Sequence, residues 1–123
     1  MLFIALGYLL LKHAIADFFL QGPYQWRNKG TYGHPGGLLH CAIHLVLTMP
    51  VFLLLPAGSV GYAALILVAE FVFHYHVDWS KEQVIRRLSL TTSNDGYWRA
   101  MGIDQLMHGL TYVVIVMALT SRG

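Results

Sequence analysis

Four apolar stretches alternate with polar ones along the chain, at roughly residues 1–20, 38–55, 60–78 and 101–119. Each is long enough, or nearly so, to cross a bilayer as a helix. LVLTMPVFLLL and LTYVVIVMAL are apolar all round, whereas a helix on the surface of a soluble protein is apolar along one stripe. The pattern predicts a single all-α domain over 1–123: an integral membrane four-helix bundle with four transmembrane helices and short loops. Polar segments 21–37 and 79–100 and the turn PAGSVG at 56–61 connect them. A soluble four-helix bundle with an apolar core is the lesser alternative. The first stretch also imitates a secretory signal, with an A-x-A at Ala14–Ala16. It lacks a basic leading region and holds Lys12 and His13 inside the apolar run, so a retained helix is expected.

Composition sharpens this. Hydrophobic residues make up 56% of the chain and charged residues 11%, against about 25% charged in an average soluble domain. The net charge of +2 is too small to point to nucleic acid. Cys41 is the only cysteine, so no internal disulfide can form. Basic residues are lopsided. Arg27 and Lys29 lie in 21–37, and Lys81, Arg86, Arg87 and Arg99 in 79–100. The opposite side offers Arg122 alone. The positive-inside rule therefore puts 21–37 and 79–100 in the cytoplasm and both termini outside. The basic loops suit an anionic lipid surface.

The polar residues inside the apolar stretches recur at helical spacing. They are His13 and Asp17 with Gln21, then His40 and His44, then Glu70, His74 and Asp78, then Asp104 and His108. Residues four apart share a helix face. The first and third helices carry their pairs at the cytoplasmic end, and the second and fourth carry theirs at the cytoplasmic start. At 1.5 Å per residue all four pairs fall within roughly 10 Å of one boundary. An ionisable side chain in a membrane helix costs about 2.5 kcal/mol or more near the centre, so these faces are expected to turn inward on one polar site. Imidazoles and carboxylates are ligands of Zn, Fe and Mn. The expected ligands of a divalent metal, zinc foremost with Fe or Mn as alternatives, are His13, Asp17, His40, His44, His74, Asp104 and His108. Gln21, Glu70 and Gln105 would support them. A metal-free network of buried hydrogen bonds is the rival. Lys29 and His34 are expected to be solvated, and Lys81 to snorkel to the interface unless it holds a substrate phosphate.

The motifs KHAIADFFLQ with Lys29 downstream, HCAIH, HVDWSK and DQLMH together resemble the small bacterial and phage membrane proteins of the domain of unknown function 3307. The resemblance covers nearly the whole chain. It groups His13, Asp17, Gln21, His40, His44, Asp78, Lys81, Asp104, Gln105 and His108, leaves Glu70 outside the pattern, and implies a bacterial inner membrane location. It carries no activity.

The expected function is a membrane-embedded metal-dependent hydrolase acting on a lipid or lipid-linked substrate at the cytoplasmic leaflet. A bound divalent cation makes water nucleophilic near neutral pH. Asp78 is the expected general base, and Lys81 the group facing a phosphate or oxyanion. A di-iron lipid oxidase fits less well, since its histidine boxes are denser. The alternative outside catalysis is a small subunit or assembly factor of a larger membrane complex, with the His/Asp cluster serving helix packing. Membrane lipid is the expected partner, along with a homo-oligomer or larger complex.

Overall fold

The computed structural model describes residues 1–122, and no strand occurs among them. Six helices run in the order α1 (Leu2–Phe18), α2 (Pro23–Trp26), α3 (Pro35–Thr48), α4 (Val51–Leu54), α5 (Val60–Arg87) and α6 (Asp95–Thr120). α3 and α4 form one apolar rod over Pro35–Leu54, interrupted at Met49 and Pro50. Proline has no N–H to continue the helical ladder, and the chain bridges the gap with the short bonds Phe52 N–H to Met49 O and Leu53 N–H to Pro50 O.

Three helices, Pro35–Leu54, Val60–Arg87 and Asp95–Thr120, are long and apolar enough to cross a membrane. α1 spans 17 residues and falls just short by length.

α1 packs on α3 and α6, and α5 packs on the same two, so four long elements close into a ring. Chain neighbours are spatial neighbours, as short connections require. Two boundaries differ from the hydropathy pattern. α5 continues past residue 78 to Arg87, and α6 starts at Asp95 instead of near 101. The segment expected as a loop over 79–100 thus shrinks to 88–94. SKEQVIRR contains no helix breaker and good helix formers, so the helix outlasts its apolar part. Ser59 starts α5 by accepting a hydrogen bond from Tyr62 N–H at 3.1 Å.

The interior has two levels. One half of the ring is apolar, packed from Ala5, Leu9, Val51, Ile66, Ile115, Val116 and Leu119 with Tyr112. The other half buries Lys12, His13, His40, His44, Glu70, His74, Asp78, Asp104 and His108. Meanwhile Phe3 is 85% exposed, Leu53 86% and Val60 88%. Charge inside and large apolar groups outside invert the soluble pattern, which is the arrangement of a membrane protein.

The connection 19–34 folds over the polar end. Gly36 and Gly37 open α3 against it. A Cβ on Gly36 would stand 2.3 Å from Tyr24 O, and one on Gly37 would stand 3.1 Å from Lys29 Cα. At Gly36 only glycine admits this approach. The loop is tied to α5 by Gln83 and Arg86, which donate to Gly30 O at 2.7 and 3.1 Å.

Candidate metal centre

Three helices join their own i,i+4 groups. His13 Nε2 lies 3.1 Å from Asp17 Oδ2, His74 Nε2 3.3 Å from Asp78 Oδ2, and His108 Nε2 3.4 Å from Asp104 Oδ1. α3 supplies two imidazoles and no acid, so its pair reaches across the ring. His44 and His40 place Nε2 at 2.9 and 3.2 Å from Asp17 Oδ1. His40 Nε2 is also 3.3 Å from Asp78 Oδ2, and His108 Nε2 is 3.0 Å from Asp78 Oδ1. These imidazoles all turn the same nitrogen toward the three carboxylates. The ring of His74 stands 4.0 Å from those of both His44 and His108.

Hydrogen bonds behind the rings fix two tautomers. Gln25 donates its amide N–H to Leu20 O at 3.3 Å, which leaves Oε1 facing His40 Nδ1 at 3.2 Å. That oxygen can only accept, so Nδ1 carries the proton. A neutral His40 then aims the lone pair of Nε2 at two carboxylate oxygens. Such an arrangement needs a cation between them, either a proton or a metal ion.

His13 is the opposite case. Gln105 donates to Asp17 Oδ2 at 3.2 Å and to Asp104 Oδ2 at 3.1 Å, so its Oε1 faces His13 Nε2 at 3.1 Å and accepts. The Nδ1 of His13 takes the Tyr112 hydroxyl at 2.8 Å. Both nitrogens of His13 are occupied, and the ring steadies Asp17 instead of offering a free lone pair.

Two buried carboxylate oxygens of the cluster, Asp78 Oδ2 and Asp104 Oδ1, have no hydrogen-bond partner among the described residues. Leaving a charged acceptor unsatisfied costs about 1–3 kcal/mol or more. The donor atoms themselves gather into sets within 4.8 Å: Asp17, His40, His44 and His74; Asp78, Asp104 and His108; and Cys41 with His74 and Asp78. Imidazole nitrogen mixed with carboxylate oxygen suits Zn, Fe or Mn better than Mg or Ca, which take oxygen ligands.

Two ammonium groups border the cluster. Lys29 Nζ is 3.8 Å from Asp78 Oδ2 and donates to Gln21 Oε1 at 2.9 Å. Burial alone would lower the Lys29 pKa, but the charges of Asp78, Asp17, Asp104 and Glu82 outweigh it and raise the pKa above its ordinary value. Lys81 Nζ is 3.8 Å from Asp104 Oδ2. Lys29 and Lys81 are only 6% and 8% exposed, so neither is the solvated or snorkelling group the sequence suggests. The connection 19–34 and the extra turns of α5 cover them. Between them lies a cleft of about 350 Å³, bordered by Asp17, Gln21, Lys29, Lys81, Tyr97 and Gln105 among others.

One level deeper, Lys12 Nζ donates to Glu70 Oε1 at 2.8 Å and to His44 O at 3.2 Å. Thr48 donates to the same Glu70 oxygen at 2.8 Å. Glu70 therefore pairs with Lys12 and reaches the cluster through Lys12 and Thr48, both of which also contact His44.

Of the residues expected from sequence, Asp17, His40, His44, His74, Asp78, Asp104 and His108 come together, Gln105 bridges two of the acids, and Gln21 holds Lys29. His34 caps α3, accepting from Gly36 N–H at 3.0 Å. The sequence reading gives Lys12, Gln25, Cys41, Thr48 and Tyr112 no place in the site. Lys12 and Glu70 carried a usable signal: each is a lone charge in an apolar run, of opposite sign and at similar depth.

Residues 5–122 match the family described as "Protein of unknown function (DUF3307)". No curated protein and no solved structure matches the chain.

Proposed function

Because the chain belongs to DUF3307, a family of unknown function, we propose its activity from its own geometry: a membrane-embedded, metal-dependent hydrolase acting on a lipid or lipid-linked substrate. In this reading α1 is a fourth span. It completes the ring between α3 and α6, and its outward Leu2, Phe3, Ile4, Leu10, Leu11, Ile15 and Phe18 are apolar and exposed. Arg27 and Lys29 in the connection 19–34, Arg86 and Arg87 at the end of α5 and Arg99 near the start of α6 all lie toward the polar end of the ring, which supports a site just under the cytoplasmic face of a bacterial inner membrane.

The carrying observation is the buried set of Asp17, His40, His44 and His74, with ligand atoms within 4.8 Å of one another. These residues would hold the cation, zinc suiting them best. A divalent cation there would supply Lewis acidity and lower the pKa of water. Asp78 is the general base. One of its oxygens is held by His108 at 3.0 Å while Oδ2 makes no hydrogen bond. Asp78 takes a proton from water as the water oxygen bonds to the electrophilic carbon or phosphorus. The bond to the leaving oxygen breaks, and that oxygen receives the proton from Asp78. Water plus one ester thus gives one alcohol and one acid. Lys29 and Lys81 face the negative charge that develops.

The test is to incubate the purified chain, supplied with zinc, with a bacterial lipid extract and to follow new headgroup products by mass spectrometry. Product should form, and Asp78→Asn should abolish it while metal stays bound. Product formation unchanged in Asp78→Asn overturns the assignment of the base; no product from any lipid overturns the hydrolase. A packing role is the rival, favoured by the carboxylate that each Nε2 already has within 3.3 Å. It predicts a chain without metal.

A further inference from the structure

A groove runs along the outside of α5 and α6. Its deeper part, about 510 Å³, is walled by side chains such as Leu65, Ala69, Phe73, Met107 and Val114. Phe73 and Met107 also wall a second hollow of about 390 Å³, which carries on past Ala100 and Ile103 to Lys81 and Asp104. Lys81 in turn borders the cleft that holds Lys29, Asp17 and Gln105. The apolar track and the cleft at the polar centre thus share one wall, the side chain of Lys81.

The chemistry at the junction selects a charge. Lys81 is 8% exposed. Its ammonium makes no hydrogen bond among the described residues and stands 3.6 Å from Glu82 Oε1 and 3.8 Å from Asp104 Oδ2. Its donors are therefore free to meet a ligand from the hollows it borders. Lys29, across the cleft, has one hydrogen bond, to Gln21. Two cations with donors to spare at one cleft, each no closer than 3.6 Å to a carboxylate, suit an anion, and an ammonium is a common phosphate ligand. The track beyond it is lined by apolar side chains and fits a hydrocarbon chain.

We propose that the substrate is a phosphate-bearing lipid, its phosphate held between Lys81 and Lys29 and its hydrocarbon chain laid in the groove between α5 and α6. This rests on the hydrolase reading and narrows it. The lipid enters sideways from the membrane, so the centre need not open to bulk water along the bundle axis. Ala100 and Ile103 set the width of the passage next to Lys81, and Lys81 positions the phosphate at its mouth.

Native mass spectrometry of the full chain in detergent tests this, with didecanoyl phosphatidate, the phosphate-free lipid didecanoylglycerol and inorganic phosphate as probes, each with and without added zinc. Phosphatidate should bind at least about tenfold more tightly than didecanoylglycerol or inorganic phosphate. Lys81→Gln should weaken it about tenfold, the worth of one charge-assisted hydrogen bond. Lys81→Arg should retain it. Ala100→Trp, which fills the passage, should weaken phosphatidate and leave inorganic phosphate unchanged. Equal binding of the two lipids, inorganic phosphate binding as tightly as phosphatidate, or an Ala100→Trp chain that binds phosphatidate normally overturns the proposal. Metal content, read on the same samples, fails or holds separately. A chain that binds phosphatidate but never zinc sinks the hydrolase and keeps the lipid site. A zinc-bound chain indifferent to phosphate does the reverse.

Discussion

At His40 one hydrogen bond decides what the rest of the ring offers. Gln25 Oε1 holds the proton on Nδ1 and leaves Nε2 bare before Asp17 and Asp78. Partners of this kind usually change metal affinity 10- to 100-fold when removed. Gln25→Leu should therefore weaken zinc binding by about that factor, with the helices intact by circular dichroism; competition with a chelating dye reads the affinity. An unchanged affinity would mean that His40 is no ligand. His40, His44, Asp17 and Asp104 are legible as candidates in the sequence because helical spacing and depth can be counted from residue numbers. Gln25 is not, because it sits in a connection whose path no periodicity fixes. His13 shows the limit from the other side: its spacing to Asp17 is that of a ligand pair, yet Gln105 and Tyr112 occupy both its nitrogens. Spacing reports which face a side chain shares and is silent on what waits across the ring.

At the scale of elements, the start of α3 matters most. Pro35, Gly36 and Gly37 let the connection 19–34 settle on the helix end, which brings Lys29 over Asp78. Gly36→Ala would place a methyl group 2.3 Å from Tyr24 O. Backbone must move to relieve that contact, at a cost of about 1–3 kcal/mol typical of overpacking. The variant should melt earlier in detergent by a thermal scan, whereas Gly102→Ala, where nothing lies within 4 Å, should not. An unshifted melt for Gly36→Ala would show that the loop is not seated there. Hydropathy located the apolar part of every long helix and misjudged where α5 and α6 continue. The residues from Trp79 to Arg87 are mostly polar, with Lys, Glu, Gln and Arg as good helix formers and no Gly or Pro to mark an end, so a hydropathy boundary came nine residues before the structural one at Arg87. Those added turns hold Lys81, Gln83 and Arg86, which line the cleft or fasten the loop.

Across the whole molecule, the interior is divided into an apolar half and a charged half, and large apolar side chains face outward. The charged half draws on every long helix, so no pair of helices could assemble it alone. Lys12 with Glu70 marks the border between the halves. Breaking such a buried pair leaves one charge unmatched, which explains why both ends of it lie in otherwise apolar runs. The rings of His44, His74 and His108 stack beside Asp17, Asp78 and Asp104, and a shared cation would give Asp78 Oδ2 and Asp104 Oδ1 the partner they lack among the described residues. The most direct measurement is elemental analysis of the chain, purified without chelator after growth with added zinc, iron and manganese. The geometry predicts about one or more divalent ions per chain for the wild type and almost none for His40→Ala. A wild-type chain, folded and free of metal under those conditions, would contradict it.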